Sequence, residues 1–224
     1  MNFIIYLCIL IISIFSIYLS KKTLGKLGIS IVFITTSILS LILTFKYTTI
    51  STININANSI TYISMFTSLY LLLETANKEE VKKIVNLNFI VTIFSALLLY
   101  IMSYYVQSLT DSISINMKNV FINNNRILII YPITTLISHY LLIWVYKKIR
   151  RLYDIPFITT VTTYLFIGLI EAILYYFLTY YNSLEIKIII KLLLSSYMIR
   201  LIITIIYSIF LTLLTRKKVT KWAS

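Results

Sequence analysis

Long apolar runs alternate with short polar stretches along the whole chain, and the runs set the expected elements. A helix needs about 20 predominantly apolar residues to cross the hydrocarbon of a bilayer. Asn2 to Ser20 is the first such run, followed by Lys21, Lys22 and Lys26, and Leu27 to Phe45 is the second. The third, "ITYISMFTSLYLLLE" from Ile60 to Glu74, is short. To reach full length it has to borrow polar residues from the preceding "ININANS". The fourth run is Ile84 to Tyr105, the fifth Ile127 to Tyr146, the sixth Pro156 to Tyr180 and the last Ile188 to Leu214. The pattern therefore predicts an all-α integral membrane protein, a bundle of six to seven transmembrane helices. Residues 1–26 form an additional N-terminal helix with its basic loop, 27–218 the main membrane domain, and 219–224 a tail.

Composition agrees, with 59% hydrophobic and only 12% charged residues and a mean hydropathy of +0.92. A soluble domain of this length has no means of hiding so much apolar surface, so the partner of the outer surface is the lipid bilayer. The net charge of +13 would suit nucleic acid, but its placement argues against that partner. Of the 20 basic residues, 14 fall in the Lys21–Lys26, Lys78–Lys83, Lys147–Arg151 and Arg216–Lys221 clusters, in alternate loops. That is the signature of a positive cytoplasmic face, and it predicts a cytoplasmic C-terminus, an external N-terminus and a multi-pass place in the cell (inner) membrane. The first run has no basic segment before it and no small-residue cleavage site, so it reads as an uncleaved anchor rather than a signal peptide. "NKEEVKKI", Asn77 to Ile84, has mixed charge at helical spacing and is expected to cap the fourth helix. "SISINMKNVF", Ser112 to Phe121, reads equally as a short interfacial helix or as a plain loop.

Against this apolar background the intramembrane polar residues stand out, and such residues are expected to be functional and paired. Glu171 lies about 24 Å along the sixth helix from its start near Ile155, and Arg200 about 22 Å from the corresponding end of the last helix, counting 1.5 Å per residue. Equal depth on consecutive antiparallel helices makes them a candidate pair. Tyr164, Gly168, Glu171 and Tyr175 share one stripe of the sixth helix, and Ser196, Arg200, Thr204 and Tyr207 a matching stripe of the last. Gly168 would admit a neighbouring backbone or a flat ligand. Thr135, Ser138 and His139, the sole histidine, share a face of the fifth helix. The plainer readings are that Ser and Thr bond their own carbonyls, that His139 is a structural donor, and that Glu171 with Arg200 only clamps two helices.

Enzyme chemistry is poorly provided for. Asp111 and Asp154 are the only aspartates, both in loops, and one cysteine and one histidine cannot build a metal site. A Ser138–His139–Glu171 triad fails because adjacent helical residues point about 100° apart. No phosphate-binding loop is present, so no cofactor, metal or catalytic residue is expected.

Four stretches resemble the queuosine precursor transporters, also called the vitamin uptake transporter family, over roughly Leu27 to Lys218. "FTSLYLLLETANKEEVKKIV" is similar to the family's Phe-Leu-x-Thr-Asp-x-x-x-Glu-x-Tyr-Gly-Lys-Lys block, with Glu74 on its glutamate, Tyr70 on its aspartate and Asn77 on its glycine. "RILIIYPITTLISHYLLIWVYKKIR" is similar to a second block, with Arg126 and Ser138 matching, His139 on a glutamine and Leu142 on an aspartate. "TYLFIGLIEAILYYF" resembles the block whose acidic residue falls on Glu171, while a preceding family arginine is Thr159 here. In "SYMIRLIITIIYSIFLTLLTRKK" Arg200 stands on a family lysine and Phe210 on a proline. The resemblance implies a membrane importer of a 7-deazaguanine base such as 7-cyano-7-deazaguanine, a precursor of the tRNA nucleoside queuosine. Glu171 would then accept the base's N–H groups, Arg200 would hold the empty carboxylate, and Tyr70, Tyr164 or Tyr207 would stack on the ring. The alternatives are a substrate-binding subunit energised by a separate ATPase, and a structural membrane protein with no substrate.

Overall fold

The computed structural model describes residues 2–50, 53–104, 118–122, 124–153 and 155–215. Asp111, Asp154, most of Ser112–Phe121, the basic run Arg216–Lys221 and the 219–224 tail lie outside the described residues. The elements, in chain order, are α1 (Asn2–Leu43), β1 (Tyr47–Ile50), β2 (Ile53–Asn56), α2 (Ser59–Thr75), α3 (Lys78–Met102), α4 (Asn125–Leu152), α5 (Pro156–Tyr180) and α6 (Ile186–Thr215). Five of these helices are long and apolar enough to cross a membrane, and their outward faces carry exposed residues such as Phe15, Ile90, Phe94, Ile129, Phe166, Ile202 and Leu213. An all-helical, multi-pass membrane protein follows, with a small β-hairpin added to the helices.

α1 is two helices in one. Gly25 breaks it at φ 59° and ψ −129°, a conformation that costs any other residue far more. A straight helix of 42 residues would run about 63 Å. Instead Asn2 reaches the backbone of Thr49, its side-chain amide donating to that carbonyl at 3.0 Å, so the chain doubles back at Gly25. Close packing at the bend rests on Gly28, where an added Cβ would lie 2.2 Å from the Ser20 carbonyl oxygen. The two halves correspond to the first two apolar runs of the sequence.

The third run is resolved differently from expectation. Residues 53–56 do not extend the helix but pair antiparallel with 47–50, Tyr47 opposite Asn56 and Thr48 opposite Ile55. Ile and Asn alternate over residues 53–56, the period-two pattern of a pleated strand. Asn56, at the end of β2, and Asn58, at the N-cap of α2, are both buried. Asn56 donates to the Thr44 carbonyl at 3.0 Å and its side-chain oxygen accepts from the Asn58 backbone N–H at 3.0 Å. Such irregular backbone is tolerated at membrane depth only where protein covers it and satisfies its polar groups. Helix α2 then starts at Ser59 and is the centre of the molecule, with every residue from Ser59 to Leu73 buried.

Helix α3 starts earlier than its apolar run, at Lys78, because Asn77 and Glu80 form a reciprocal capping box; the Asn77 backbone N–H donates to Glu80 at 3.3 Å. The contacts sort the helix ends into two groups. At one end Lys21 donates to the Leu214 carbonyl at 3.0 Å and Lys26 pairs with Glu80 at 3.2 Å. At the other, the Tyr47 and Tyr180 hydroxyls meet at 2.8 Å and Arg126 donates to the Tyr181 carbonyl at 2.9 Å. Consecutive helices therefore run in alternate directions, with the Lys21–Lys26, Lys78–Lys83 and Lys147–Arg151 clusters at the Lys21 end.

Candidate functional site

Glu171 of α5 and Arg200 of α6 meet in the interior, Arg200 Nη1 donating to Glu171 Oε2 at 2.9 Å with each side chain 2% exposed. The guanidinium is planar and multidentate, so its second arm is free for another acceptor. That acceptor is Asn58, whose side-chain oxygen takes a bond from Arg200 Nη2 at 3.1 Å. Asn58 sits at the N-cap of α2 but makes no capping bond with its side chain. Its amide nitrogen instead donates to Thr44 Oγ1 at 2.7 Å, which fixes the orientation of the oxygen toward Arg200. Below the guanidinium lies the Tyr62 ring, 4.0 Å from Cζ to centroid, a cation–π arrangement. The Tyr62 hydroxyl faces Glu171 without closing a well-formed hydrogen bond. One arginine thus ties together α2, α5 and α6.

The remaining sequence candidates surround this centre in different ways. Tyr164 is buried on the same stripe of α5 as Glu171, and its ring lies over Gly168, where an added Cβ would come within 2.6 Å of it. Gly168 therefore makes room for a tyrosine of its own helix, not for a foreign backbone or ligand. Tyr207 is buried and bonded through its hydroxyl to Ser13 of the first half of α1, which ties that added helix to α6. Ser138 donates to the Thr134 carbonyl at 2.7 Å, one turn back on its own helix. His139 is held between the rings of Phe33, at 5.0 Å, and Phe66, at 5.5 Å, and its Nε2 has no hydrogen-bond partner. Tyr70 packs on Tyr146 at 5.1 Å with its hydroxyl likewise unpartnered. Among the described residues no three His, Cys, Asp or Glu side chains come together as a metal-binding group.

Sequence reasoning singled out Tyr70 and Glu74 but missed Asn58, Tyr62 and Phe66, the partners nearest Arg200. Asn58 at the N-cap of α2, and Tyr62, Phe66, Tyr70 and Glu74 within it, recur every four residues, a row that turns about 40° per step and so winds from one face of the helix to nearly the opposite one. At its far end Glu74 accepts from Arg150 Nε at 2.9 Å and from the Tyr146 hydroxyl at 2.6 Å. The spacing of four was the available signal, and it was hidden because the stretch reads as uniformly apolar. Compared with known proteins, the chain matches no family model, no curated protein and no solved structure.

Proposed function

We propose that the chain is a membrane importer of a planar, polar base, a queuosine precursor of the 7-deazaguanine type. The observation that carries this reading is the buried Asn58–Arg200–Glu171 centre, bordered by the Tyr62 and Tyr164 rings. It combines acceptors for ring and exocyclic N–H groups, a donor fork for a carbonyl, and flat aromatic faces, the set such a base needs. The resemblance to the queuosine precursor transporters points to the same solute through Glu74, Glu171 and Arg200. Cells that cannot synthesise the deazaguanine precursors supply the test. Expressing this chain should restore uptake of labelled 7-cyano-7-deazaguanine and queuosine in tRNA, and uptake at the level of empty cells would sink the reading. Uptake that appears only with a copurifying ATPase would instead make the chain the binding subunit of an energised system.

A second reading is favoured by one feature. Arg200 bonds residues of two other helices at once, which is also what a helix clamp would do. In that case the centre holds α2, α5 and α6 in place and carries no solute.

The orientation belongs to the same proposal, with the Lys21 end and the C-terminus in the cytoplasm of a cell (inner) membrane. A reporter fused after Ser224 should read as cytoplasmic. Asn56 and Asn58 are buried, so the external probe belongs elsewhere, at the exposed Ser183 of the α5–α6 turn. With Cys8 replaced by serine, Ser183→Cys should react with an impermeant thiol reagent added to intact cells. Protection of that cysteine until the cells are opened would reverse the orientation.

A further inference from the structure

Between the two ends of α2 the bundle holds two groups of aromatic side chains, each anchored on an ion pair. Starting from Arg200, the Tyr62 ring is 4.0 Å away, Phe66 stacks on Tyr62 at 4.8 Å, and Tyr164 meets Phe66 edge-on at 6.1 Å. Tyr70 follows one turn on, against Tyr146, whose hydroxyl bonds Glu74 beside Arg150. The hydroxyls of Tyr70 and Tyr164, Thr160 Oγ1 and His139 Nε2 are buried in this region without hydrogen-bond partners. Unsatisfied polar groups in a lipid-surrounded interior are costly and call for an explanation. Passage of a polar solute past them is one that the transport reading supplies.

The two ion pairs differ in burial. Glu171 and Arg200 are each 2% exposed, whereas Glu74 is 12% and Arg150 19% exposed. Water reaching a charge pair weakens it, so the Glu74–Arg150 pair is the easier of the two to open. We propose that Glu74 and Arg150, with Tyr146, form the gate at the Lys21 end of a solute path that winds along α2 between Asn58 and Glu74. The Asn58–Arg200–Glu171 centre closes the other end. This inference rests on the transport reading, and it locates the path and the residues that open it. Opening separates α2 from α4, since Glu74 ends the one and Arg150 the other.

Site-directed labelling tests it without any solute, so the result is independent of which base is carried. In a Cys8→Ser background, Thr160→Cys places a buried thiol one turn from the start of α5 on the stripe of Tyr164. An impermeant thiol reagent is applied to vesicles of either orientation, with Glu74 intact and with Glu74→Gln. The gate predicts that Glu74→Gln speeds labelling roughly five- to tenfold from the Arg150 side alone, the population shift that loss of a partly exposed pair produces. No acceleration, or equal acceleration from both sides as a merely loosened bundle would give, overturns it. Should Glu74→Gln fail to insert, Tyr146→Phe removes one hydrogen bond to the same carboxylate and should give a smaller acceleration from the same side. An unchanged rate there overturns the gate as well. Gated labelling together with absent base uptake would keep the gate and discard the proposed cargo.

Discussion

Arg200→Leu is expected to leave little folded protein, because it strands Glu171 and Asn58 together in the interior. The Glu171 side chain is 2% exposed, so a carboxylate without its counter-charge has no water to turn to. Removing one partner of such a buried pair costs about 3–5 kcal/mol, a large part of the stability of an ordinary domain. The yield of monodisperse protein after detergent extraction and its thermal midpoint would both fall sharply. Arg200→Lys retains the charge but replaces a two-armed fork by a single ammonium, so it should fold and satisfy Glu171 at the expense of Asn58. Partial uptake is expected from it. The double variant Glu171→Leu with Arg200→Leu should recover much of the thermal stability, since an apolar pair of similar volume removes the charge problem altogether. A thermal midpoint for Arg200→Leu equal to that of the unaltered protein would show that the pair contributes nothing to folding.

Glu171→Gln is expected to abolish uptake while the protein still inserts. The amide keeps the volume and one acceptor oxygen, so Arg200 Nη1 retains a partner, although a weaker one. What is lost is the second acceptor position and the negative charge that a base rich in N–H groups would use. The charge-swapped variant, Glu171→Arg with Arg200→Glu, separates the two roles of the centre. A helix clamp works in either direction, so folding and uptake should return together if that is its whole purpose. A solute ligand does not, because an arginine on α5 cannot accept hydrogen bonds. Stability recovered without uptake is therefore the expected outcome, and uptake near the original level in the swapped protein would reduce Glu171 to a clamp. Asn58 complicates the swap in a useful way, since its oxygen faces Arg200. A glutamate there would meet an acceptor, and Asn58 would have to present its amide nitrogen, which now serves Thr44.

Much of this arrangement was legible before any fold was known. The apolar runs located the long helices, since lipid demands about 20 apolar residues per crossing whatever the tertiary contacts are. The depth of Glu171 and Arg200 could be counted along their helices, because rise per residue in a helix is a local constant. Gly25 and Gly28 mark a bend that the basic loop already suggested. The cap of α3 was legible in "NKEEVKKI", but the end of α4 was placed less well, because its polar terminal turn belongs to the helix through ion pairing and not through hydropathy.

The third run shows where sequence stopped and tertiary structure took over. Hydropathy saw a span too short for the bilayer and filled it with the preceding polar residues. The protein instead buries a 17-residue helix among the others and pairs residues 53–56 with 47–50 as strands ahead of it. That choice depends on Thr44, Asn56 and Asn58 finding one another across a turn, and on α6 covering β2. Such partnerships are long-range and leave no periodic trace. The same is true of the site. A sequence reveals which residues are too polar for their surroundings, because transfer free energy belongs to the side chain itself. Which groups then satisfy Arg200, Glu171 and Glu74 was decided by the packing of α2 against its neighbours, since these bonds join atoms far apart in the chain and form only where the fold brings them within reach.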